Sequence, residues 1–295
     1  MQCAVLQGII NGIVDNIINR VDVRLDDLHN IDGDTINDVV LKLLYDYIIF
    51  GGYSAEIIKN KAGHIHTIRY IPFERMRVND TLTTGYYSTS WDKGYGKPTE
   101  LPLNDYSANH YFYYYRGRLT RGIYPIPMYY AAYKSVIIQN EIKNFHLNTI
   151  QNNFNANLII NFNNGKPSQS QKEEIEKQIA DKFTGTDNGG KFLLSFNDNK
   201  DSAVTIERLE SDNFDEKYQA LDKSTKEDIF IAFRATPCLF GLNPENNGFS
   251  KEEYAEAMGL FNQNVLVPIG KAFVSSLKRI VTLNFKEELG WEEYS

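Results

Sequence analysis

Apolar residues recur at three- and four-residue spacing in several parts of the chain, a pattern typical of helices that bury one face. The first such stretch covers residues 4–18. The second covers residues 36–50, with Asp34 or Thr35 before it at the position of a helix cap. The acidic segment 26–34 lacks the ligand spacing of an EF-hand, so it is predicted to be a loop rather than a calcium site.

A third stretch, residues 214–233, is predicted to be the helix around which the chain is organised. Its apolar face consists of Phe214, Tyr218, Leu221, Thr225, Ile229 and Ala232. Ser224 and Glu227 form a capping-box pattern inside it, which predicts that the helix bends or restarts there. Thr236 and Pro237 close it, because proline disfavours helical dihedral angles in the preceding residue.

A further helix is predicted to begin near Ser250, after a polar loop at residues 243–248. Its apolar positions continue past Pro268 and comprise Tyr254, Met258, Phe261, Val265, Ile269, Phe273 and Leu277. The C-terminal part of the chain is therefore expected to be a helix, a loop and a second helix.

Alternation of apolar and polar residues predicts a β-hairpin after the second helix. Residues 53–58 form its first strand, residues 60–63 its turn and residues 64–71 its return strand. His64 and His66 lie on one side of that strand, but no third ligand is near in sequence, so a metal site is not expected. Residues 80–124 are predicted to be rich in β-structure and contain many tyrosines.

A long helix is predicted for residues 125–154, because Pro125 and Pro127 are suited to a helix start and neither proline nor glycine follows within it. Asparagine recurs in it every fourth residue, at positions 140, 144, 148 and 152. This stripe reflects either an asparagine-rich composition or a functional polar surface, since asparagine is a mediocre helix former.

A small module is predicted between the two long helices. It consists of a strand at residues 157–162, a helix capped by Ser170 and Glu173, and strands at residues 191–196 and 203–209. A βαββ unit of about 50 residues is too small to be expected to fold alone.

The order of these features resembles the portal proteins of tailed bacteriophages. The helix and loop that carry the resemblance are residues 229–233 and 236–241, followed by Phe261 and Pro268. The hairpin residues that match the family are Gly52, Tyr53, Ile57, Gly63, Ile65, Ile68, Pro72 and Val78. The resemblance covers about residues 35–280, and its departure at both ends suggests a reduced crown, a shortened prophage copy or a fragment.

The resemblance implies an α+β, portal-like fold with long stem helices, an inserted small βαββ clip module and a mixed α/β wing. The implied segments are 1–124 (wing-like), 125–156 (first stem helix), 157–210 (clip-like), 211–242 (second stem helix), 243–249 (channel loop) and 250–295 (C-terminal helices). In this family the helix after the clip lines the channel, and the loop after that helix reaches towards the DNA.

The resemblance also assigns site residues and partners. The channel loop would present Asn243, Glu245, Asn246 and Asn247, and the terminase-facing clip would present Lys166, Gln169, Glu173, Asp187 and Asn188. The implied function is a ring of twelve subunits at the capsid vertex of the virion, which serves DNA packaging, DNA ejection and head–tail joining. The implied partners are other copies of the chain, the terminase large subunit, a head–tail adaptor, capsid or scaffold protein, and double-stranded DNA that passes through.

Composition limits the function classes. The net charge of −7 argues against a protein that grips nucleic acid, although a protein that only surrounds DNA remains possible. The three arginines between residues 116 and 121 lie beside aromatic residues and suit either a nucleic-acid contact or a subunit contact. Two cysteines, Cys3 and Cys238, are too few for a disulfide framework or a zinc site.

No cofactor, membrane segment or catalytic motif is predicted. No apolar stretch approaches the roughly 20 residues that span a bilayer, and no basic region precedes the first apolar run as in a signal peptide. The phosphate-binding, zinc-protease and nucleophile-elbow motifs are missing from the sequence, so an enzyme is not expected. Two alternatives stay open: a non-portal particle or interaction protein, and an enzyme with a site built from distant carboxylates.

Overall fold

The computed structural model describes residues 3–23, 33–92, 96–117, 120–151, 158–162, 167–183, 192–196, 214–242 and 250–286. Two compact units are present: the first unit is Met1–Val136 with Lys226–Ser295, and the second unit is Ile137–Thr225. The helices are α1 (Ala4–Ile18), α2 (Ile36–Phe50), α3 (Tyr133–Gln151), α4 (Gln169–Phe183), α5 (Phe214–Phe233), α6 (Lys251–Phe261) and α7 (Val267–Leu277). None of these helices is both long and apolar enough to cross a bilayer.

The strands are short and interleaved with the helices, so the fold is of the mixed α+β class. They are β1 (Val21–Val23), β2 (Gly52–Lys59), β3 (Ile65–Ile71), β4 (Met76–Val78), β5 (Thr84–Tyr87), β6 (Thr99–Pro102), β7 (His110–Arg116), β8 (Thr120–Arg121), β9 (Tyr124–Pro125), β10 (Leu158–Phe162), β11 (Phe192–Phe196) and β12 (Leu283–Phe285).

Helices α1 and α2 have the predicted bounds and contribute much of the core of the first unit. The buried aliphatic side chains of α1 are Leu6, Ile9, Ile10, Ile13, Val14 and Ile17. Thr35 caps α2, because its hydroxyl accepts from the Asp38 N–H while the Asp38 carboxylate accepts from the Thr35 N–H. Gly51 ends α2 with φ of 79°, a left-handed conformation that glycine adopts without steric cost.

The predicted hairpin is confirmed and forms part of a three-stranded antiparallel sheet in the order β3-β2-β7. Ile57 of β2 lies opposite Ile68 on one side and Tyr111 on the other, and all three are buried. The Tyr53 hydroxyl shares a hydrogen bond of 2.6 Å with the hydroxyl of Ser276 on α7. The β-rich region that follows adds a second antiparallel sheet in the order β4-β5-β6, so it too agrees with the prediction.

The predicted C-terminal helix consists of α6 and α7, joined by a π-helical turn at Asn262–Leu266. Pro268 lies in the first turn of α7, where its missing N–H is tolerated. Arg20 donates to the Asn262 side chain at 2.5 Å, and β1 pairs antiparallel with β12, so the two ends of the described chain meet. The buried positions of the stripe are Met258, Phe261, Val265, Ile269, Phe273 and Leu277.

The helix predicted for residues 125–154 begins later than expected. Pro125 pairs with Thr120 in the β8–β9 hairpin, and a 3-10 turn at Met128–Ala132 precedes α3, which begins at Tyr133. The predicted start was wrong because Pro125 and Pro127 each hold the residue before them in extended conformation.

Of the predicted bend or restart at Ser224, the restart is wrong, because α5 runs without interruption through Ser224. The hydroxyl of Thr225 donates to the Leu221 carbonyl at 2.7 Å, one helical turn earlier. A polar side chain that bonds back to its own helix does not need to end it.

In the second unit, β10 and β11 pair in parallel, and α4 lies between them in the chain. The third predicted strand, at residues 203–209, lies outside the described residues. Ser168 precedes α4, and its N–H and its hydroxyl both donate to the Gln171 side chain at 3.0 Å, which reaches back as in one half of a capping box. The prediction that Ser170 and Glu173 form this cap was wrong, because α4 begins before Ser170.

Candidate functional site

The residues predicted for the channel loop, Asn243, Glu245, Asn246 and Asn247, lie outside the described residues. The segments on either side of the loop are described. Before it, a 3-10 turn at Pro237–Phe240 follows α5. After it, α6 is capped by Ser250, whose hydroxyl accepts from the Glu253 N–H at 3.0 Å. Both ends of the loop are therefore attached to regular backbone structure.

Of the residues predicted to face the terminase, Gln169 and Glu173 are described. Gln169 is the first residue of α4 and Glu173 follows one turn later, and both side chains are exposed. Residues four apart lie on the same face of a helix, so these two share a surface. Lys166, Asp187 and Asn188 lie outside the described residues.

Within the first unit, the beginning of α3 contacts the end of α5 through a hydrogen bond. The Ser135 hydroxyl donates to the Asp228 carboxylate at 2.8 Å, and Ser135 is buried. A hydrogen bond to a charged acceptor is stronger than one between neutral groups, so this contact helps to fix the two helices.

Within the second unit, Gln139 connects the same two helices. Its amide nitrogen donates to the backbone carbonyl of Asp222 at 2.8 Å, to the Asp222 carboxylate at 3.1 Å and to the Thr225 hydroxyl at 2.5 Å. Gln139 and Thr225 are each 3% exposed. Phe145 and Tyr218 add a stacked ring pair at 5.0 Å between centroids. These contacts hold α3 and α5 together inside the second unit.

Sequence reasoning missed Gln139 and drew attention to the asparagine stripe. In the structure Asn140 is half-buried, whereas Asn144 and Asn148 are exposed. The spacing of Gln139 to the apolar Ile142 is the signal that could have marked it, because positions i and i+3 share a helix face.

Several large apolar side chains on the helices are exposed. In the first unit they are Ile231 (71%), Leu260 (56%), Tyr133 (55%) and Tyr130 (54%), and in the second unit Leu147 (53%), Ile137 (42%), Phe145 (41%) and Leu221 (41%). Where such side chains form a contiguous patch, the patch is typical of surfaces that contact another macromolecule. Leu221 belongs to the predicted apolar face of α5, and this part of that face is exposed.

An open pocket of about 810 Å³ lies in the first unit beside the end of α5. Its apolar lining includes Tyr47, Ile126, Met128, Val267, Pro268 and Ile269. Arg234, the residue after α5, also lines it and is itself exposed. A volume within the range of about 300–1,000 Å³ is typical of pockets that enclose several ligand groups.

Two buried carboxylates lie outside this region. Asp46 on α2 accepts from the Tyr70 hydroxyl at 2.9 Å and from the Phe73 N–H at 3.0 Å, and burial raises the pKa of Asp46 to about 7. Glu56 on β2 pairs with Arg69 and with His110, each at 2.6 Å. These groups tie α2 and the sheet strands together.

In the described ranges, no group of three or more His, Cys, Asp or Glu side chains is placed to hold a metal ion. His64 and His66 are both exposed. The described surface is thus best characterised by its apolar side chains, its pocket and the exposed face of α4, which suits contact with other macromolecules.

Solved structures share this fold, among them the following three. The neck of a native gene transfer agent particle computed with C12 symmetry matches 94% of this chain and 78% of that chain, with TM-score 0.58 and 14% identity. The virion of a native gene transfer agent particle matches 98% and 81%, with TM-score 0.63 and 14% identity. An HK97-family phage portal protein from Corynebacterium diphtheriae matches 97% and 93%, with TM-score 0.58 and 11% identity.

A curated relative, an uncharacterised protein of Rickettsia bellii, is 26% identical over 132 residues. The match covers 45% of this chain and 32% of the relative, so it spans about a third of that protein's length. The model of the family described as "Phage portal protein" matches residues 31–290. Since that match takes in most of the 295 residues and the fold agrees with it, the chain belongs to the phage portal protein family.

Proposed function

We propose that this chain is the subunit of a ring-shaped portal at a capsid vertex, through which double-stranded DNA enters and leaves the particle. The observation that carries the proposal is the family match over residues 31–290. The fold that the chain shares with a neck and with a portal protein supports it. The completed particle, a virion, would be the location of the ring.

The proposed assembly is a closed ring of about twelve copies. The exposed apolar side chains on α3, α5 and α6 support it, because neighbouring subunits would cover them. A head-to-tail contact that repeats around an axis closes into a ring. The C12 symmetry with which the related neck was computed supports the number twelve.

In the proposed ring, the loop at residues 243–249 projects into the channel. Asn243, Glu245, Asn246 and Asn247 would then present neutral and acidic groups to the DNA. Because lysine and arginine supply most of the affinity for phosphates, a surface without them lets a polyanion slide.

The exposed face of α4, including Gln169 and Glu173, is proposed to contact the terminase large subunit, together with Lys166, Asp187 and Asn188. Further proposed partners are a head–tail adaptor and a capsid or scaffold protein. The motor reaction would belong to the terminase, so the purified chain is expected to hydrolyse neither ATP nor DNA.

Native mass spectrometry of the purified chain tests the ring. We expect closed assemblies of about twelve copies, because a heterologous contact closes into a ring when its rotation divides a full turn evenly without translation along the axis. A chain that stays monomeric at high concentration contradicts the proposal. ATP and DNA hydrolysis are measured on the same sample, and turnover that a carboxylate substitution abolishes would favour the enzyme alternative.

Lysines in the loop test the channel. The double variant Asn246→Lys with Asn247→Lys is expected to slow DNA packaging and to leave the ring intact, because cationic groups attract the phosphates. The control carries the same two new charges at exposed positions elsewhere, Ala62→Lys with Thr99→Lys. Packaging at the normal rate by the loop variant would contradict the channel assignment.

A further inference from the structure

The end of α5 places an arginine where glycine is ordinarily found. Arg234 has φ of +53°, the Arg234 N–H donates to the Ile231 carbonyl, and the Ala235 N–H donates to the Phe230 carbonyl. These two bonds form a Schellman motif, in which the left-handed position is usually glycine because a side chain is strained there. Strained backbone positions cluster at functional sites, so the strain at Arg234 directs attention to what its side chain contacts.

Arg234 adopts this strained backbone conformation and also lines the mostly apolar pocket of about 810 Å³. In the described part of the chain, no side-chain hydrogen bond or ion pair engages its guanidinium. A cation beside an apolar concave surface fits a ligand that carries an anion next to an apolar group, because the pocket removes the apolar group from water while the cation pairs with the anion.

Helix α6 presents an anion next to an apolar group on its exposed side. Glu252, Glu256 and Leu260 recur every four residues and therefore share one stripe of the helix. All three are exposed, and Leu260 is 56% exposed although it is a large apolar residue. The opposite side of the helix is buried through Met258 and Phe261, so the stripe faces away from the core.

We propose that this stripe of α6 docks into the pocket of a second copy of the chain, with Leu260 in the pocket and Glu256 paired with Arg234. The inference rests on the proposed ring and specifies one of its subunit contacts. The two surfaces differ, so their contact is head-to-tail and can repeat around a ring. Opposite charge and shared apolar character make the two surfaces complementary.

DNA phosphate is the other anion that Arg234 could meet. Lys271 and the Tyr47 hydroxyl also line the pocket and can donate to a phosphate. Most of the lining is nevertheless apolar, and Ile126, Met128 and Ile269 offer a phosphate group no donor but offer Leu260 a place out of water, which favours the protein partner.

Charge exchange in the full-length chain tests the contact, with ring formation measured by native mass spectrometry and sedimentation velocity. Arg234→Glu and Glu256→Arg are each expected to weaken association at least about tenfold, because each brings like charges together. The double variant restores the attraction and is expected to recover most of the association. Lys61→Glu and Glu100→Arg make the same changes of charge sign at exposed positions elsewhere and should assemble like the wild type.

Arg234→Gly separates loss of the contact from loss of folding. Glycine suits the left-handed backbone, so this variant is expected to keep or raise the thermal midpoint of the subunit while it weakens association. A subunit that assembles normally with glycine at this position contradicts the proposal.

Two further outcomes of the charge exchange would contradict the proposed contact. If the double variant assembles as poorly as the single variants, Arg234 and Glu256 do not meet. If the variants form normal rings and only DNA transfer changes, Arg234 meets phosphate and the proposed contact is wrong. In both cases the wild-type ring still forms, whereas a wild-type chain that never assembles contradicts the portal function itself.

Discussion

The buried carboxyl group of Asp46 makes the stability of the first unit depend on pH. Asp46 is 6% exposed and connects α2 to the end of β3 through its bonds to Tyr70 and to the Phe73 N–H. Burial disfavours its charged form and raises its pKa from 3.8 to about 7, although both hydrogen bonds act in the opposite direction. The substitution that tests this is Asp46→Asn, which keeps the shape and an oxygen acceptor.

The sign of the effect follows from the two protonation states. Between the unfolded pKa of 3.8 and the folded pKa of about 7, the folded protein holds a proton that the unfolded chain has released. The free energy of unfolding therefore falls as pH rises through this window. At about 1.4 kcal/mol per pH unit, the wild type loses roughly 2–3 kcal/mol between pH 5 and pH 7 through this group and little more above pH 7.

Asparagine does not titrate, so the Asp46→Asn variant should lack this loss. The measurement is urea unfolding of both proteins at pH 5, 6, 7 and 8, with the difference between them plotted against pH. That difference should shift by roughly 2–3 kcal/mol in favour of the variant between pH 5 and pH 7 and then level off. The control is Asp80→Asn, at an exposed position. A constant difference across the whole range would refute the reasoning.

Two further changes test the packing. Gly85→Ala should lower the free energy of unfolding by about 1–3 kcal/mol in urea titrations, because the new methyl group would clash with Met76 and lie 2.9 Å from the Phe112 ring. Gln139→Leu should destabilise the second unit by about 1–3 kcal/mol, measured as faster amide hydrogen exchange in α5, because three acceptors lose their donor.

Gly85→Ala and Gln139→Leu each have a control variant. Gly96→Ala places its methyl group where no atom lies within 4 Å, so it should leave the free energy of unfolding near that of the wild type. Asn148→Ala removes an exposed amide from the same helix as Gln139 and should leave exchange in α5 unchanged. Equal effects from the test and matched variants would show that the crowding at Gly85, or the hydrogen bonds of Gln139, contribute nothing specific.

Local signals in the sequence determined the bounds of the first two helices and the hairpin. Thr35 and Gly51 mark the two ends of α2 because capping and left-handed termination involve only neighbouring residues. Alternation predicted β2 as a strand, but the structure buries both faces of it from Gly52 to Ile57, so the polar Ser54 and Glu56 are buried as well. The order of these elements was also enough to indicate the portal family.

Tertiary structure decided the features that depend on residues far apart in the chain. Thr225 stays inside a continuous α5, where its hydroxyl also accepts from Gln139, 86 positions away. The raised pKa of Asp46 arises from its burial, and no sequence pattern around Asp46 indicates that burial. Arg234 and the pocket share a surface only because α2, α5 and α7 converge there. Periodicity and capping record contacts within a few residues, whereas burial and long-range hydrogen bonds exist only after the chain has folded.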